Sequence, residues 1–249
     1  MTISKYVKYD KQIIKLAKEG KKPFEIAKEV GIDSRRVIDR LKSNNITNYK
    51  KGNTNDKLLI QSEEQKQVLL GTILGDGCLF KGNSNQNYRM NLAHGLKQKE
   101  YFMYKYNVLK SLNFKEPKIE NEFNTRTEKQ YSCIKTQSLT NPLFTEMYEI
   151  WYKDGKKIIP KSRVKELEDL AIAIIFFDDG YKQSSSYCIA MNNFDVESIN
   201  NFRIMLLEKY GVETTLQKSN ILYIRTNSKS KFRKIVEKYA TSDVLYKLG

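Results

Sequence analysis

The chain has 249 residues, enough for one large or two modest domains with a substantial core. Its 44 Lys and Arg exceed 29 Asp and Glu by a net +15, which points to a polyanionic partner, nucleic acid ahead of an acidic membrane surface. Three scattered cysteines, Cys78, Cys133 and Cys188, exclude a disulfide scaffold and a zinc-site spacing, and the longest apolar run, Leu170 to Phe177, is far short of the ~20 residues of a bilayer span.

Residues 1 to 57 are strongly basic and carry three short helical patterns. Ile13, Leu16 and Ala17 give the first an apolar face, Gly20 interrupts it, and Pro23 opens a second helix with Ile26, Ala27 and Val30. Gly31 and Ile32 form a turn, and Ser34 is expected to cap a third helix whose Val37, Ile38 and Leu41 face inward while Arg35, Arg36, Arg40 and Lys42 face out. Ala27, Gly31 and Val37 fit the spacing of a helix-turn-helix, which would make Arg35, Arg36 and Arg40 groove or phosphate contacts. A basic three-helix bundle that packs on its neighbour is the other reading. The polar stretch Asn44 to Asp56 reads as a linker.

From Leu58 the same order of elements occurs twice. Gln65 to Gly77 is an apolar helix ending Gly-Asp-Gly, and Leu167 to Gly180 another ending Asp-Asp-Gly, with Asp76 and Asp179 in equivalent places. Behind the first come a strand Tyr88 to His94, a helix Lys99 to Leu112, a strand Tyr131 to Thr136 and a helix from about Asn141 to Tyr152. Behind the second come Tyr187 to Asn192, a helix Val196 to Tyr210, Leu222 to Thr226 and a helix from about Ser228 to Tyr239. Both final helices follow a Thr-Asn pair. Such long repeats suit two half-domains, 58 to 160 and 161 to 249, related by a pseudo-two-fold axis.

The segment Leu69-Leu70-Gly71-Thr72-Ile73-Leu74-Gly75-Asp76-Gly77 is apolar nearly all round and keeps two glycines despite a helix cost of ~1 kcal/mol each. A buried helix that another helix approaches closely explains both features, and an acid at its end needs a partner or a metal. Taken singly, Asp76-Gly77 and Asp179-Gly180 could also be ordinary helix C-terminal turns. His94, the single histidine, excludes nuclease motifs that need several; on a strand it is structural or DNA-facing rather than a base. Arg89, Lys135, Lys218 and Arg225 lie on or beside predicted strands, where alternate side chains share one face and can reach phosphates or base edges. The polar loops Lys81 to Asn87 and Lys182 to Ser186 could extend such a footprint, and Trp151 and Tyr152 read as core.

The nonapeptide Leu69 to Gly77 resembles the motif that names the LAGLIDADG homing endonucleases, and Ala173-Ile174-Ile175-Phe176-Phe177-Asp178-Asp179-Gly180 resembles its second copy in single-chain members. Ile174 stands where the motif has its first glycine, which implies looser or offset helix packing. Lys156-Lys157-Ile158-Ile159-Pro160 and Tyr246-Lys247-Leu248 also look like yeast mitochondrial intron-encoded members. The resemblance covers residues 58 to 249 and implies an α+β fold of two αββαββα halves, their motif helices side by side and their antiparallel sheets forming a saddle over double-stranded DNA. It implies that Asp76 and Asp179 share divalent ions, Mg²⁺ (or Mn²⁺) by their oxygen-only ligation. Lys157 and Lys247 resemble the family's active-site lysines, although their unequal spacing from the Thr-Asn pairs leaves their equivalence open, and Asp178 is expected beside the site.

The expected activity is site-specific hydrolysis of DNA phosphodiesters by a monomer holding both motif copies. The alternative is a non-cleaving DNA-binding regulator or an intron maturase with intron RNA as partner. The absence of an apolar leader predicts a soluble intracellular protein with no membrane association, in the cytoplasm of a bacterium or phage-infected cell or in an organelle matrix.

Overall fold

A computed structural model of the protein describes residues 6–46, 57–82, 87–125 and 128–249. The expected linker from residue 47 onward and the middle of the Lys81 to Asn87 loop lie outside these residues. The chain divides into two compact units, Met1–Asp56 and Lys57–Gly249.

Among the described residues, the first unit holds three α-helices, α1 (Asp10–Lys18), α2 (Pro23–Val30) and α3 (Ser34–Ser43), closed around Ile13, Leu16, Ala17, Ile26, Ala27, Val37 and Leu41. Proline at the first position of α2 costs no hydrogen bond, and Gly31 ends that helix in the left-handed conformation (φ 74°). Asp33, rather than Ser34, caps α3: its carboxylate accepts the Arg35 N–H at 2.8 Å. A carboxylate there also complements the positive helix end, which a serine hydroxyl does less well.

The second unit begins with α4 (Glu63–Leu74), β1 (Cys78–Lys81), β2 (Tyr88–Gly95), α5 (Lys99–Leu109), β3 (Lys118–Asn124), β4 (Lys129–Gln137) and α6 (Pro142–Trp151). A two-stranded hairpin, β5 (Tyr152–Lys153) and β6 (Lys156–Lys157), follows. The order then repeats as α7 (Asp169–Asp179), β7 (Gly180–Gln183), β8 (Ser186–Ala190), α8 (Val196–Tyr210), β9 (Thr214–Gln217), β10 (Ile221–Ile224) and α9 (Lys229–Val236). Each half is αββαββα, with four-stranded antiparallel sheets of order β1-β2-β4-β3 and β7-β8-β10-β9. Along β2 burial alternates strictly: Met90, Leu92 and His94 point into the core, while Asn91, Ala93 and Gly95 lie on the open face.

A single apolar core joins the two halves, and α4 and α7 pass through it side by side. Ser62 caps α4 by accepting the Gln65 N–H at 3.0 Å, and nine consecutive residues of α7, Leu170 to Asp178, are buried. Each buried Ile or Phe there contributes ~1.5–3 kcal/mol over exposure. The contact between the helices is tight where looser packing is expected from Ile174. A Cβ on Gly71 would lie 2.7 Å from Ile174 Cβ and 2.9 Å from the Ala171 carbonyl. One glycine therefore serves both helices at this level, and the larger residue opposite fills the room it leaves.

Candidate functional site

The ends of α4 and α7 bring the motif acids together, and the two helices end differently. Helix α4 stops at Leu74 because Gly75 turns out of the helix (φ −90°, ψ −130°), which frees the Asp76 N–H from the intrahelical ladder. That N–H donates across the interface to Asp178 Oδ2 at 2.9 Å. Helix α7 runs on through Asp179 and ends at Gly180. A side chain on Gly75 would strike Asp178, its Cβ 2.7 Å from that residue's Cβ, so the missing side chain of one motif makes space for the extra acid of the other.

Two lysines reach the same place from outside the motifs. Lys157, at the end of the β5–β6 hairpin, donates its ammonium to the Gly75 carbonyl. Lys247, in a C-terminal 3-10 turn Ser242–Lys247, donates to the carbonyls of Phe177 (2.7 Å) and Asp178 (2.9 Å). Gly75 and Asp178 directly precede Asp76 and Asp179, so both lysines satisfy equivalent helix-end carbonyls despite their unequal sequence spacing. Each lysine segment is also fastened to the other half. The Ile159 N–H donates to Ser198 Oγ of α8 (2.9 Å), and Asp243 accepts the Glu100 and Tyr101 N–H groups that open α5 (2.7 and 3.1 Å).

Burial and neighbouring carboxylates raise both motif acids. Burial, then the Asp76 and Asp178 carboxylates, push Asp179 up to about 7 against the pull of Lys157 and Lys247. Asp76 is raised too, by burial and then by Asp178; 41% of its side chain stays accessible, so its desolvation is that of a concave surface rather than an interior. Burial lowers both lysines, with the surrounding aspartates opposing it. Two crowded carboxylates with an oxygen-only donor set fit a hard divalent cation, whose charge would relieve both.

A second cluster sits directly behind Asp76. Asp178 is wholly buried and accepts Lys105 Nζ at 2.9 and 3.1 Å, the Tyr101 hydroxyl at 2.8 Å and the Asp76 N–H. Burial pushes Asp178 up, but Lys105 and its other donors outweigh this and hold it below the usual carboxylate range. His94 lies 3.6 Å from Asp76 Oδ2 and 3.8 Å from Asp178 Oδ1, with its pKa lowered to about 4 by burial and then Lys105, so it is neutral near pH 7. Asp76, His94 and Asp178 have the compactness of a metal-ligand group. Asp178 is already saturated, however, with a lysine ammonium in the cation's place, which leaves Asp179 the better companion for Asp76.

The residues assigned to DNA contact fall into different surroundings. Arg35 is exposed and Arg36 half engages Asp39 (3.7 Å) and the Tyr6 ring (5.5 Å). Arg40 forms a two-pronged ion pair with Asp10 (2.7 and 2.5 Å), its side chain 15% exposed, which makes it a brace of α3 on α1 rather than an outward contact. Arg89 and Lys135 lie on the open face of the first sheet, Arg89 stacked 4.5 Å over Phe80 and Lys135 held between Glu120 (2.6 Å) and Glu122 (3.0 Å). Arg225 pairs with Glu213 at 2.9 Å beyond β10, and Lys218 sits exposed in the turn between β9 and β10. Trp151 and Tyr152 are buried, the Tyr152 hydroxyl accepting the Leu79 N–H at 3.3 Å.

The αββαββα order occurs twice, with an acid at the end of one central helix and just past the end of the other, which defines a duplicated two-motif α+β fold. The LAGLIDADG DNA endonuclease family matches residues 66–232, both motif copies included, and the chain belongs to that family. The cytochrome b mRNA maturase bI2 of Debaryomyces hansenii is 28% identical over 195 residues, 75% of this chain and 74% of that protein. The DNA endonuclease I-ChuI of Chlamydomonas applanata is 25% identical over 208 residues, 76% of this chain and 95% of that protein. The homing endonuclease I-WcaI, solved bound to its DNA recognition sequence, superposes with a TM-score of 0.71 at 21% identity, over 82% of this chain and 94% of that one. Among the described residues, no helix is long and apolar enough to cross a membrane.

Proposed function

We propose that the protein is a site-specific endonuclease that hydrolyses double-stranded DNA with Mg²⁺ or Mn²⁺ held by Asp76 and Asp179. The observation that carries this reading is the convergence of two motif acids, one raised to about 7 partly by the charge of the other, with a lysine on the carbonyl just before each. A divalent cation bound there supplies Lewis acidity for a water nucleophile and charge for the leaving 3′ oxygen. Asp76 and Asp179 hold and orient it from opposite helices. Lys157 and Lys247 are fixed through backbone carbonyls, so their positive charge faces the scissile phosphates without depending on flexible surface stems.

The open sheet faces, with Arg89, Lys135, Lys218 and Arg225, form the proposed duplex contact, and residues 1–57 add a second grip through Arg35 and Arg36. Both motif copies lie in one chain, so a monomer completes the site and the target need not be palindromic. A maturase acting on intron RNA is the second reading, favoured by the likeness to the bI2 maturase. The double substitution Asp76→Asn, Asp179→Asn separates the readings: cleavage of target duplex disappears with binding retained if the acids do the chemistry. Cleavage at the wild-type rate would refute their role, and a wild-type protein that binds intron RNA and cuts no duplex would favour the maturase.

A further inference from the structure

The two halves match closely in topology and differ sharply in chemistry behind their motif acids. Cross-strand pairs Cys78–Asn91 and Tyr181–Cys188 are equivalent, as are Lys99 and Val196, the first residues of α5 and α8. This correspondence places Met191, Ser198 and Phe202 where the first half has His94, Tyr101 and Lys105. Gly75 stands where the second motif has Asp178. A buried His–Tyr–Lys–Asp cluster therefore backs Asp76, whereas an apolar set with one serine occupies the equivalent positions of the second half. Lys105, Tyr101 and Phe202 are all fully buried.

We infer that Asp178 is the positioning residue for Asp76, clamped by Lys105 and Tyr101 and acting on that half alone. Asp179 is still part of its helix, so its backbone is set by α7. Asp76 has left its helix at Gly75, and the Asp178 carboxylate supplies the acceptor that α4 no longer does. That carboxylate has little freedom, because Lys105 engages both its oxygens and Tyr101 one of them. Removing a single member would bury an unpaired charge, which explains why lysine and aspartate must occur together in an otherwise apolar interior. The role rests on Asp76 being a metal-binding acid.

The test uses the full chain with Lys105→Met in two backgrounds, Asp178→Ala and Asp178→Asn. Neither pair leaves a buried charge, and only the asparagine keeps an oxygen facing the Asp76 N–H. Amide exchange at Asp76, Mn²⁺ affinity and nicking of each end-labelled strand are measured beside thermal unfolding. In the alanine pair the Asp76 amide exchanges faster while Asp179 keeps its protection, Mn²⁺ binding weakens about 10-fold and the two strands slow unequally. The asparagine pair recovers most of each loss. An Asp76 amide that stays protected in the alanine pair, or equal losses in both pairs, overturns the assignment. A wild-type protein that nicks neither strand defeats the endonuclease reading instead, and amide exchange with Mn²⁺ affinity still decides the positioning role.

Discussion

Asp179→Asn should stabilise the metal-free protein while removing its response to metal. The Asp179 carboxyl is raised from 3.8 to about 7 in the fold, chiefly by burial and the Asp76 carboxylate. A group whose folded pKa lies above its unfolded value binds its proton more tightly when folded. Its ionisation therefore costs stability as pH rises from about 4 to 7, and the full penalty is present above that window. At about 1.4 kcal/mol per unit the ceiling is about 4 kcal/mol. Because the side chain is only partly buried, about 1–3 kcal/mol is the realistic range. For a chain of this length that raises Tm by roughly 2–12 °C. Thermal unfolding followed by circular dichroism at pH 8 in EDTA reads the gain, which should shrink to roughly a third at pH 5 and vanish below about pH 4. With Mg²⁺ at about 100 times its Kd, the wild type alone should gain about 2.7 kcal/mol. A variant less stable than wild type at pH 8 in EDTA, or a gain independent of pH, would refute the reasoning.

Gly71→Ala drives a methyl into Ile174 and should cost about 1–3 kcal/mol in urea unfolding, with Ile174→Ala in the same chain restoring part of the stability. Arg40→Ala should destabilise the N-terminal unit by breaking its pair with Asp10, whereas Arg35→Ala should leave its melting unchanged and weaken DNA binding in a titration. Deleting residues 1–57 should lower duplex affinity and flatten the slope of log affinity against log salt by roughly one for each phosphate that the unit neutralises; an unchanged slope would reduce that unit to a structural appendage.

Elements with a buried face or firm ends were legible in the sequence. Helix α8 lies where its polar entry and Gly211 place it, Val196–Tyr210, and the duplicated motifs give the order of both halves. Strands β3 and β9 left no such trace: β3 is largely polar with Ile119 and Phe123 exposed, and β9 is four residues on a sheet edge. Contacts across long sequence separations were hidden for a different reason. Nothing near Arg40 announces Asp10, and the equivalence of Lys157 and Lys247, which the family resemblance suggests, stays open in the sequence because their spacing is unequal, one ending a hairpin and the other a 3-10 turn. Lys105 was missed although a signal existed, since Tyr101, Lys105 and Leu109 recur at four-residue intervals on the buried face of α5. A lysine on such a face requires a buried acid, and Asp178 at the end of the apolar second motif was the candidate at hand.

The most direct measurement exposes a library of long duplexes, including DNA flanking the protein's own coding sequence, to the wild type and to the Asp76→Asn, Asp179→Asn variant with Mg²⁺ or EDTA, and sequences all new ends. Discrete ends that need both the metal and the two aspartates are the predicted result. Duplex protected without ends by wild type in Mg²⁺, or ends that persist in the variant, would contradict the account.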